Sequence, residues 1–291
     1  MMKKILLTGA NGFIGQAFFH SLKQKYEIFS VVRHKRQEDE QNSHIIECDF
    51  TSPIFDHFPS DIDAIVHLAQ SNEYRNFPEK AHDIFAVNVA STAALLEWAT
   101  KEKVKNFILA STGSVYEPYT ESLIESISSV PESYYSITKR SAELLCKPYE
   151  KFLSICIFRL FFPYGEGQKD KLIPNLIESI QTGKEITLHG TEGMLLCPTY
   201  IKDLIDIFDE ASMKNWNGIY NLANAELISL KTLCEKIGKI LGKQPKFLRG
   251  SGTSLKIQPS LKKLENVFDL SNFHSVDNGL KKMLKNDTKI H

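Results

Sequence analysis

The sequence predicts an α/β protein built on a doubly wound parallel sheet, and three observations carry that prediction. Short apolar runs alternate with helical segments through the first half of the chain, the order a parallel sheet requires. The glycine-punctuated stretch Thr8-Gly9-Ala10-Asn11-Gly12-Phe13-Ile14-Gly15 follows the apolar start Ile5-Leu6-Leu7 and leads into a helix. The runs Ile65-Val66 and Phe107-Ile108-Leu109-Ala110 are continuous in apolar residues, as in strands buried on both faces.

Taken in order, strands are expected at 3–8, 26–32, 44–48, 64–68, 107–111 and 154–160, with helices at 13–23, 81–101 and 134–151. Met1-Met2-Lys3-Lys4 imitates the start of a leader, but the apolar run behind it stops after three residues in the glycine turn, so it reads as a strand. After Pro163 the texture changes. Gly165-Glu166-Gly167-Gln168 marks a loop, followed by a helix at 172–181, a strand at 185–189, a helix at 201–212, a strand at 218–222 and a helix at 230–241. The tail from Gly242 carries Pro, Gly, Ser and Lys, with one amphipathic helix at 276–284. The expected organisation is a Rossmann-type dinucleotide-binding domain over 1–163 and a smaller C-terminal α/β substrate-binding part over 164–291. Some segments of the second part are expected to return to the main sheet.

Composition narrows the partners. The chain has 291 residues, 35 basic and 35 acidic, with a net charge of zero and no long run of one sign. Nothing in that balance suits nucleic acid or an anionic membrane surface, and no stretch is long enough to cross a bilayer. Cys48, Cys146, Cys156, Cys197 and Cys234 never fall in CxxC spacing and read as buried thiols in a reducing, cytoplasmic setting. The histidines form neither HExxH nor a tight cluster, so no metal is expected.

The glycine stretch has a physical logic. One glycine permits the tight turn, another lets backbone approach a pyrophosphate, and a third lets helix and strand pack closely. The first helical turn then offers unpaired N–H groups to the anion. The spacing is GxxGxxG rather than GxGxxG, and a turn of this kind can also serve packing alone.

Tyr135 and Lys139 stand four apart, on one face of a helix. A phenol has an ordinary pKa of about 10, too high for a general base at neutral pH. A nearby ammonium, together with an oxidised nicotinamide, would lower it. Thr112, at the end of the strand expected at 107–111, is placed to hydrogen-bond the reacting oxygen. Taken alone, the pair also reads as a surface tyrosine packed over a lysine stem.

Together these segments resemble the extended short-chain dehydrogenase/reductase family of nucleotide-sugar epimerases, dehydratases and reductases. The likeness runs from the loop at Thr8 through Cys48-Asp49, His67-Leu68-Ala69-Gln70, Asn88-Val89-Ala90-Ser91-Thr92, Ser111-Thr112-Gly113-Ser114-Val115-Tyr116 and Pro131 to Glu143. It continues in Phe158-Arg159-Leu160, Pro163-Tyr164-Gly165 and Tyr200-Ile201-Lys202-Asp203-Leu204. The resemblance implies Thr112, Tyr135 and Lys139 as catalytic residues. It implies a dinucleotide held by Gly9, Asn11, Gly12, Phe13, Ile14, Gly15, Asp49, Phe50, Leu68, Ala69, Gln70 and Asn88, with Tyr135 and Lys139 alongside. A homodimer is implied in the same way.

The chain also departs from the pattern. Gly113 and Ser114 stand where family dehydratases carry two acidic residues, Phe162 where many members carry Asn, and Leu196 where an arginine often binds the substrate diphosphate. Arg159 and Arg249 are alternative phosphate contacts or structural cations. After the second strand the chain reads Arg33-His34-Lys35-Arg36, a basic cluster that favours NADP over NAD because guanidinium pairs with a 2′-phosphate. Glu38, Asp39 and Glu40 behind it are the counter-argument for a solvated loop. His67 reads as a packed neighbour of the cofactor, and Tyr116, Tyr134 and Tyr164 as cleft-wall candidates. The expected function is an NAD(P)-dependent oxidoreductase or epimerase acting on a sugar nucleotide, with a 4-keto-sugar reductase favoured. The alternatives are a 4-epimerase, a reductase of a non-sugar carbonyl, and a dinucleotide-sensing binding protein.

Overall fold

The computed structural model describes residues 2–36, 44–120 and 123–287. Glu38, Asp39 and Glu40 lie outside them. The strands are β1 Lys4–Thr8, β2 Glu27–Val32, β3 Ile45–Glu47, β4 Ala64–His67, β5 Asn106–Thr112, β6 Ser154–Leu160, β7 Pro163–Tyr164, β8 Glu185–His189, β9 Leu195–Leu196, β10 Thr199–Tyr200, β11 Gly218–Leu222, β12 Ile228–Ser229 and β13 Lys246–Gly250. The helices are α1 Phe13–Leu22, α2 Ala81–Phe85, α3 Ser91–Lys101, α4 Tyr134–Cys146, α5 Leu172–Thr182, α6 Ile201–Lys214, α7 Leu230–Leu241, α8 Lys262–Glu265 and α9 Val276–Asp287. The chain divides into two compact units. One comprises Met1–Pro118, Ser128–Arg159 and Ile205–Tyr220; the other Tyr119–Ile127, Leu160–Leu204 and Asn221–His291.

The first unit is organised by a seven-stranded sheet in the order β11-β6-β5-β4-β1-β2-β3. The pairs β1–β2, β1–β4, β2–β3 and β4–β5 are parallel. This is the doubly wound α/β class the sequence predicts. The strands form because they are apolar on both faces: Leu6, Val31, Ile65 and Phe107 are buried in one core, against Leu95 and Leu96 of α3 and Ala142 of α4. Each such side chain contributes about 1.5–3 kcal/mol of burial. The register sets Leu6 beside Phe29 on one side and Ile65 on the other. Because β1 lies between β2 and β4, the strand order reverses there, and the carboxyl ends of β1 and β4 border the crevice where such sheets bind ligands.

Two helices differ from expectation. The segment expected as one helix at 81–101 is interrupted by a π-helical turn, Ala86–Ala90. The helix expected at 134–151 ends at Cys146 and passes into a 3₁₀ turn, Lys147–Tyr149. Pro148 has no N–H to continue the ladder.

In the second unit, β8 pairs with β13 in parallel, from Glu185↔Lys246 to His189↔Gly250. The expectation for the tail placed no strand at 246–250. Ser229 caps α7 through its hydroxyl, which accepts from the Thr232 N–H at 3.1 Å. Gly242, at φ +66°, ends the same helix in the left-handed conformation that glycine tolerates best.

Candidate active site

Every residue the sequence assigns to cofactor or catalysis lies in the first unit. The turn after β1 is shaped by its glycines. Gly9 adopts φ +67°, and a Cβ there would stand 2.8 Å from the Ala69 nitrogen. A Cβ on Gly15 would stand 2.3 Å from the Gly9 carbonyl oxygen, so α1 packs on the turn only as glycine. Gly12 is the N-cap of α1, with no side-chain cap and no acidic residue in the first turn. Asn11, Phe13 and Ile14 flank it, partly buried. An uncapped, charge-free helix start above close-packed glycines fits a dinucleotide pyrophosphate.

Behind this turn runs a directed hydrogen-bond chain. Thr92 donates its hydroxyl proton to the Asn88 carbonyl at 2.9 Å. It therefore accepts from His67 Nε2–H, 3.1 Å away. His67 Nδ1 is then the acceptor for the Thr8 hydroxyl at 2.7 Å, and Thr8 Oγ1 accepts the Ala69 N–H at 3.1 Å. Burial pushes the His67 ring down to about 3, helped by the charge of Lys139, so the ring is neutral. Asn88, within the π-helical turn, accepts the Ser71 N–H at 2.9 Å and donates to Thr138 Oγ1 at 3.0 Å. The Thr138 hydroxyl in turn donates to the Tyr135 carbonyl at 2.8 Å. His67 thus ties β1 to the π-helical turn, and Asn88 ties that turn to α4.

Tyr135, Thr112 and Lys139 meet at the carboxyl end of β5. Ser133 caps α4, its hydroxyl accepting the Ser136 N–H at 3.3 Å, which sets the start of the helix. Lys139 is buried, and its ammonium donates to the Ala110 carbonyl at 2.6 Å. Burial pushes that ammonium down to about 8, against the pull of Glu143. The Tyr135 hydroxyl donates to Gln70 Oε1 at 3.1 Å. Burial raises the phenol's pKa; the hydrogen bond with Thr112 works the other way, and Tyr74 and Glu117 add to the rise. The chain's own groups therefore leave the phenol raised by burial; the lowered value was expected of Lys139 together with an oxidised nicotinamide.

Glu143, two turns beyond Tyr135, holds the assembly together. Its carboxylate accepts from Ser111 Oγ at 2.5 Å, Arg159 Nε at 3.0 Å, Arg159 Nη2 at 2.7 Å and Arg140 Nη1 at 2.7 Å. Arg159 is wholly buried over the Tyr116 ring, 4.7 Å from its centroid. Of the two readings for Arg159, the structural cation is the one observed. Tyr116 is equally buried, and Tyr164 is buried in the second unit with its hydroxyl on the Val276 carbonyl at 3.4 Å; neither is a wall residue. Tyr134 is partly exposed and donates to the Ala81 carbonyl at 3.0 Å. In the sequence Glu143 is only part of a spacing, because the partners that reveal its role lie on β5 and β6.

Arg33, expected to meet a 2′-phosphate, lies between two carboxylates: Asp49 Oδ1 at 3.5 Å and Asp83 Oδ2 at 3.4 Å. Asp49 is exposed, and its acidity is strengthened by the Thr51 N–H. Phe50 is buried, edge-on to His67 at 6.0 Å. Leu68 is partly exposed and Ala69 buried at the end of β4, beside Gly9. All five cysteines are buried free thiols. Among the described residues, no helix is long and apolar enough to cross a membrane, and no His, Cys, Asp and Glu group could hold a metal.

Residues 5–223 match the model of the NAD dependent epimerase/dehydratase family. A protein of Methanocaldococcus jannaschii with no assigned activity is 29% identical over 311 residues, covering 96% of this chain and 94% of its own. The dTDP-D-glucose 4,6-dehydratase of Dictyostelium discoideum is 27% identical over 269 residues, covering 81% of this chain and 62% of its own. Among solved structures, UDP-glucuronic acid 4-epimerase from Bacillus cereus, in complex with UDP-glucuronic acid and NAD, superposes with a TM-score of 0.86 at 27% identity. That match covers 99% of this chain and 100% of the other.

Proposed function

We propose, since the chain belongs to the NAD dependent epimerase/dehydratase family, that it epimerises a nucleotide-activated sugar at C4 with NAD retained through the cycle. The observation that carries this reading is the meeting of Tyr135, Thr112 and Lys139 at the end of β5 with no acid at the two positions that follow. Gly113 and Ser114 open a 3₁₀ turn, and the next carboxylate, Glu117, accepts from the Ser136 hydroxyl at 3.1 Å. Elimination of water needs an acid–base pair beside the reacting carbon; oxidation and reduction at a secondary alcohol need a single proton-transfer group.

NAD is proposed over the NADP favoured by the basic cluster. A 2′-phosphate at Arg33 would stand against Asp49 and Asp83, which already hold the guanidinium, whereas ribose hydroxyls would not be repelled. The Bacillus cereus epimerase, bound to NAD, supports the same choice. The pyrophosphate is assigned to Gly9, Asn11, Gly12, Phe13, Ile14 and Gly15. Asp49 and Phe50 are assigned to the adenosine end, and Leu68, Ala69 and Asn88 to the walls.

In this reading Tyr135 takes the proton of the C4 hydroxyl, Thr112 hydrogen-bonds the same oxygen, and Tyr135 later returns the proton to the opposite epimer. A bound NAD supplies the reversible two-electron acceptor and, when oxidised, the positive charge that favours the phenolate. Lys139 holds the floor of the site on the Ala110 carbonyl. The second part of the chain, 164–291, is assigned to the sugar nucleotide. A homodimer is proposed through α4, where Ile137 and Leu144 are 43% and 54% exposed on one helical face; sedimentation velocity checks it.

The test is incubation of the protein with UDP-glucuronic acid and related UDP-hexoses without added reductant, followed by NMR of the sugar. The C4 epimer is expected. Tyr135→Phe is expected to keep dinucleotide affinity and lower turnover on the order of a hundredfold or more. Consumption of NADPH on 4-keto-sugar nucleotides with no epimer formed would instead favour the reductase.

A further inference from the structure

We propose that Gln70 is a catalytic residue whose side-chain amide follows the proton of Tyr135, accepting from the phenol and, turned over, donating to the phenolate. The proposal rests on the acid–base role given to Tyr135 above.

Three observations build it. Gln70 stands on backbone pinned on both sides: the Ala69 N–H donates to Thr8 Oγ1 at 3.1 Å, and the Ser71 N–H donates to Asn88 Oδ1 at 2.9 Å. The Ser71 hydroxyl is further tied to Asp83. From that fixed base the side chain reaches α4, with Oε1 3.1 Å from the Tyr135 hydroxyl. The other side of the phenol is taken. Thr112 hydrogen-bonds the hydroxyl, and the Tyr74 ring lies 5.1 Å from the Tyr135 ring.

The chemistry suits an amide. A general acid–base group passes through two states, and each wants the opposite partner: the phenol an acceptor, the phenolate a donor. Asn and Gln carry both on one rotating group. A carboxylate could serve only the phenol and an ammonium only the phenolate. The bond to the phenolate is the stronger, being charge-assisted, so the amide on balance favours ionisation. The other titratable groups around Tyr135 are Tyr74 and Glu117, which oppose the phenolate, and Lys139, one turn on along α4. Nothing local in the sequence pairs Gln70 with Tyr135, because the contact joins positions 65 residues apart.

The test places fluorotyrosine at position 135 of the full-length protein, whose greater acidity brings the midpoint into the working pH range. Its ionisation is followed by ¹⁹F NMR with and without NAD⁺. Gln70→Leu is expected to raise the midpoint by about half a pH unit, and Gln70→Glu by about one or more. NAD⁺ affinity should change less than about threefold, a contact of Gln70 with the cofactor being no part of the proposal. Unchanged midpoints in both variants, or lost NAD⁺ affinity with an unmoved midpoint, overturn it. Shifted midpoints in a protein that turns over no sugar nucleotide would retain Gln70 as the partner of Tyr135 and defeat the proposed reaction instead.

Discussion

The ammonium of Lys139 lies 2.6 Å from the carbonyl oxygen of Ala110, the residue two before Thr112. Beside the Ser111–Glu143 bond, this contact ties the face of α4 carrying Tyr135 to the end of β5, and it does so with a cation removed from water. Burial holds the ammonium near 8 rather than 10.5. Between those values the unfolded chain keeps a proton that the folded protein gives up, so stability rises with pH across that window. Urea unfolding of wild type and Lys139→Met at pH 8 and 10 is expected to show wild type gaining on the variant by about 1–3 kcal/mol. A gap that stays constant would refute this.

The His67 chain gives a second window of the same sign, on the acid side. With its ring near 3, the folded protein refuses a proton that the unfolded histidine accepts below its ordinary value. Stability contributed here is therefore complete at neutral pH and declines on acidification. Wild type is expected to lose about 1–2 kcal/mol relative to His67→Gln between pH 7 and 5. Nitrogen NMR should show a neutral ring protonated on Nε2 throughout. A titration centred near the ordinary histidine value would contradict the chain.

The Glu143 carboxylate and the buried Arg159 guanidinium are a pair whose partial removal is costly. Glu143→Ala leaves Arg159 charged and unsolvated, an expected loss of about 3–5 kcal/mol. Glu143→Gln keeps the packing and one acceptor oxygen, but its NH2 cannot accept from the N–H groups that the second carboxylate oxygen holds. It should therefore lose less than the alanine variant while recovering only part of the cost. Chemical denaturation of both variants checks this; equal losses would mean that the lost charge, and neither packing nor the remaining acceptor, sets the whole cost.

Phe162 adopts φ +43°, a conformation in which asparagine is tolerated and a bulky side chain strained. Its carbonyl accepts the Thr199 N–H at 3.1 Å, which holds the conformation. Phe162→Asn is expected to stabilise the protein by about 0.5–1 kcal/mol, with strain relief exceeding the loss of a partly exposed ring. A lower melting temperature would show that the ring's contacts matter more.

The glycine turn and the Tyr135–Lys139 pair were legible because their physics is local. Gly9 and Gly15 stand where a Cβ would collide with backbone, and a four-residue spacing puts two side chains on one helical face. The π-helical turn at Ala86–Ala90 was not legible, since the apolar pattern there remains that of an ordinary helix. β7, β9, β10 and β12 are two residues long, too short to show alternation, and β13 is too exposed to show an apolar face. Pro148 does mark the end of α4, although the helix expected at 134–151 ran through it. The basic cluster at Arg33 shows a different limit of local reading. Its local charge suggested a phosphate site, while the carboxylates that hold it, Asp49 and Asp83, come from elsewhere in the sequence. Glu143, Gln70 and the tautomer of His67 are likewise products of long-range contacts.

The central claim is that Tyr135 serves a redox cycle closed on itself. The most direct measurement is to denature the purified protein and identify the dinucleotide released, with its oxidation state and stoichiometry. The account predicts NAD⁺ in near-equal amount to the chain. A protein that releases nothing, and that binds NADPH reversibly and more tightly than NADH, would contradict it and point to a reductase.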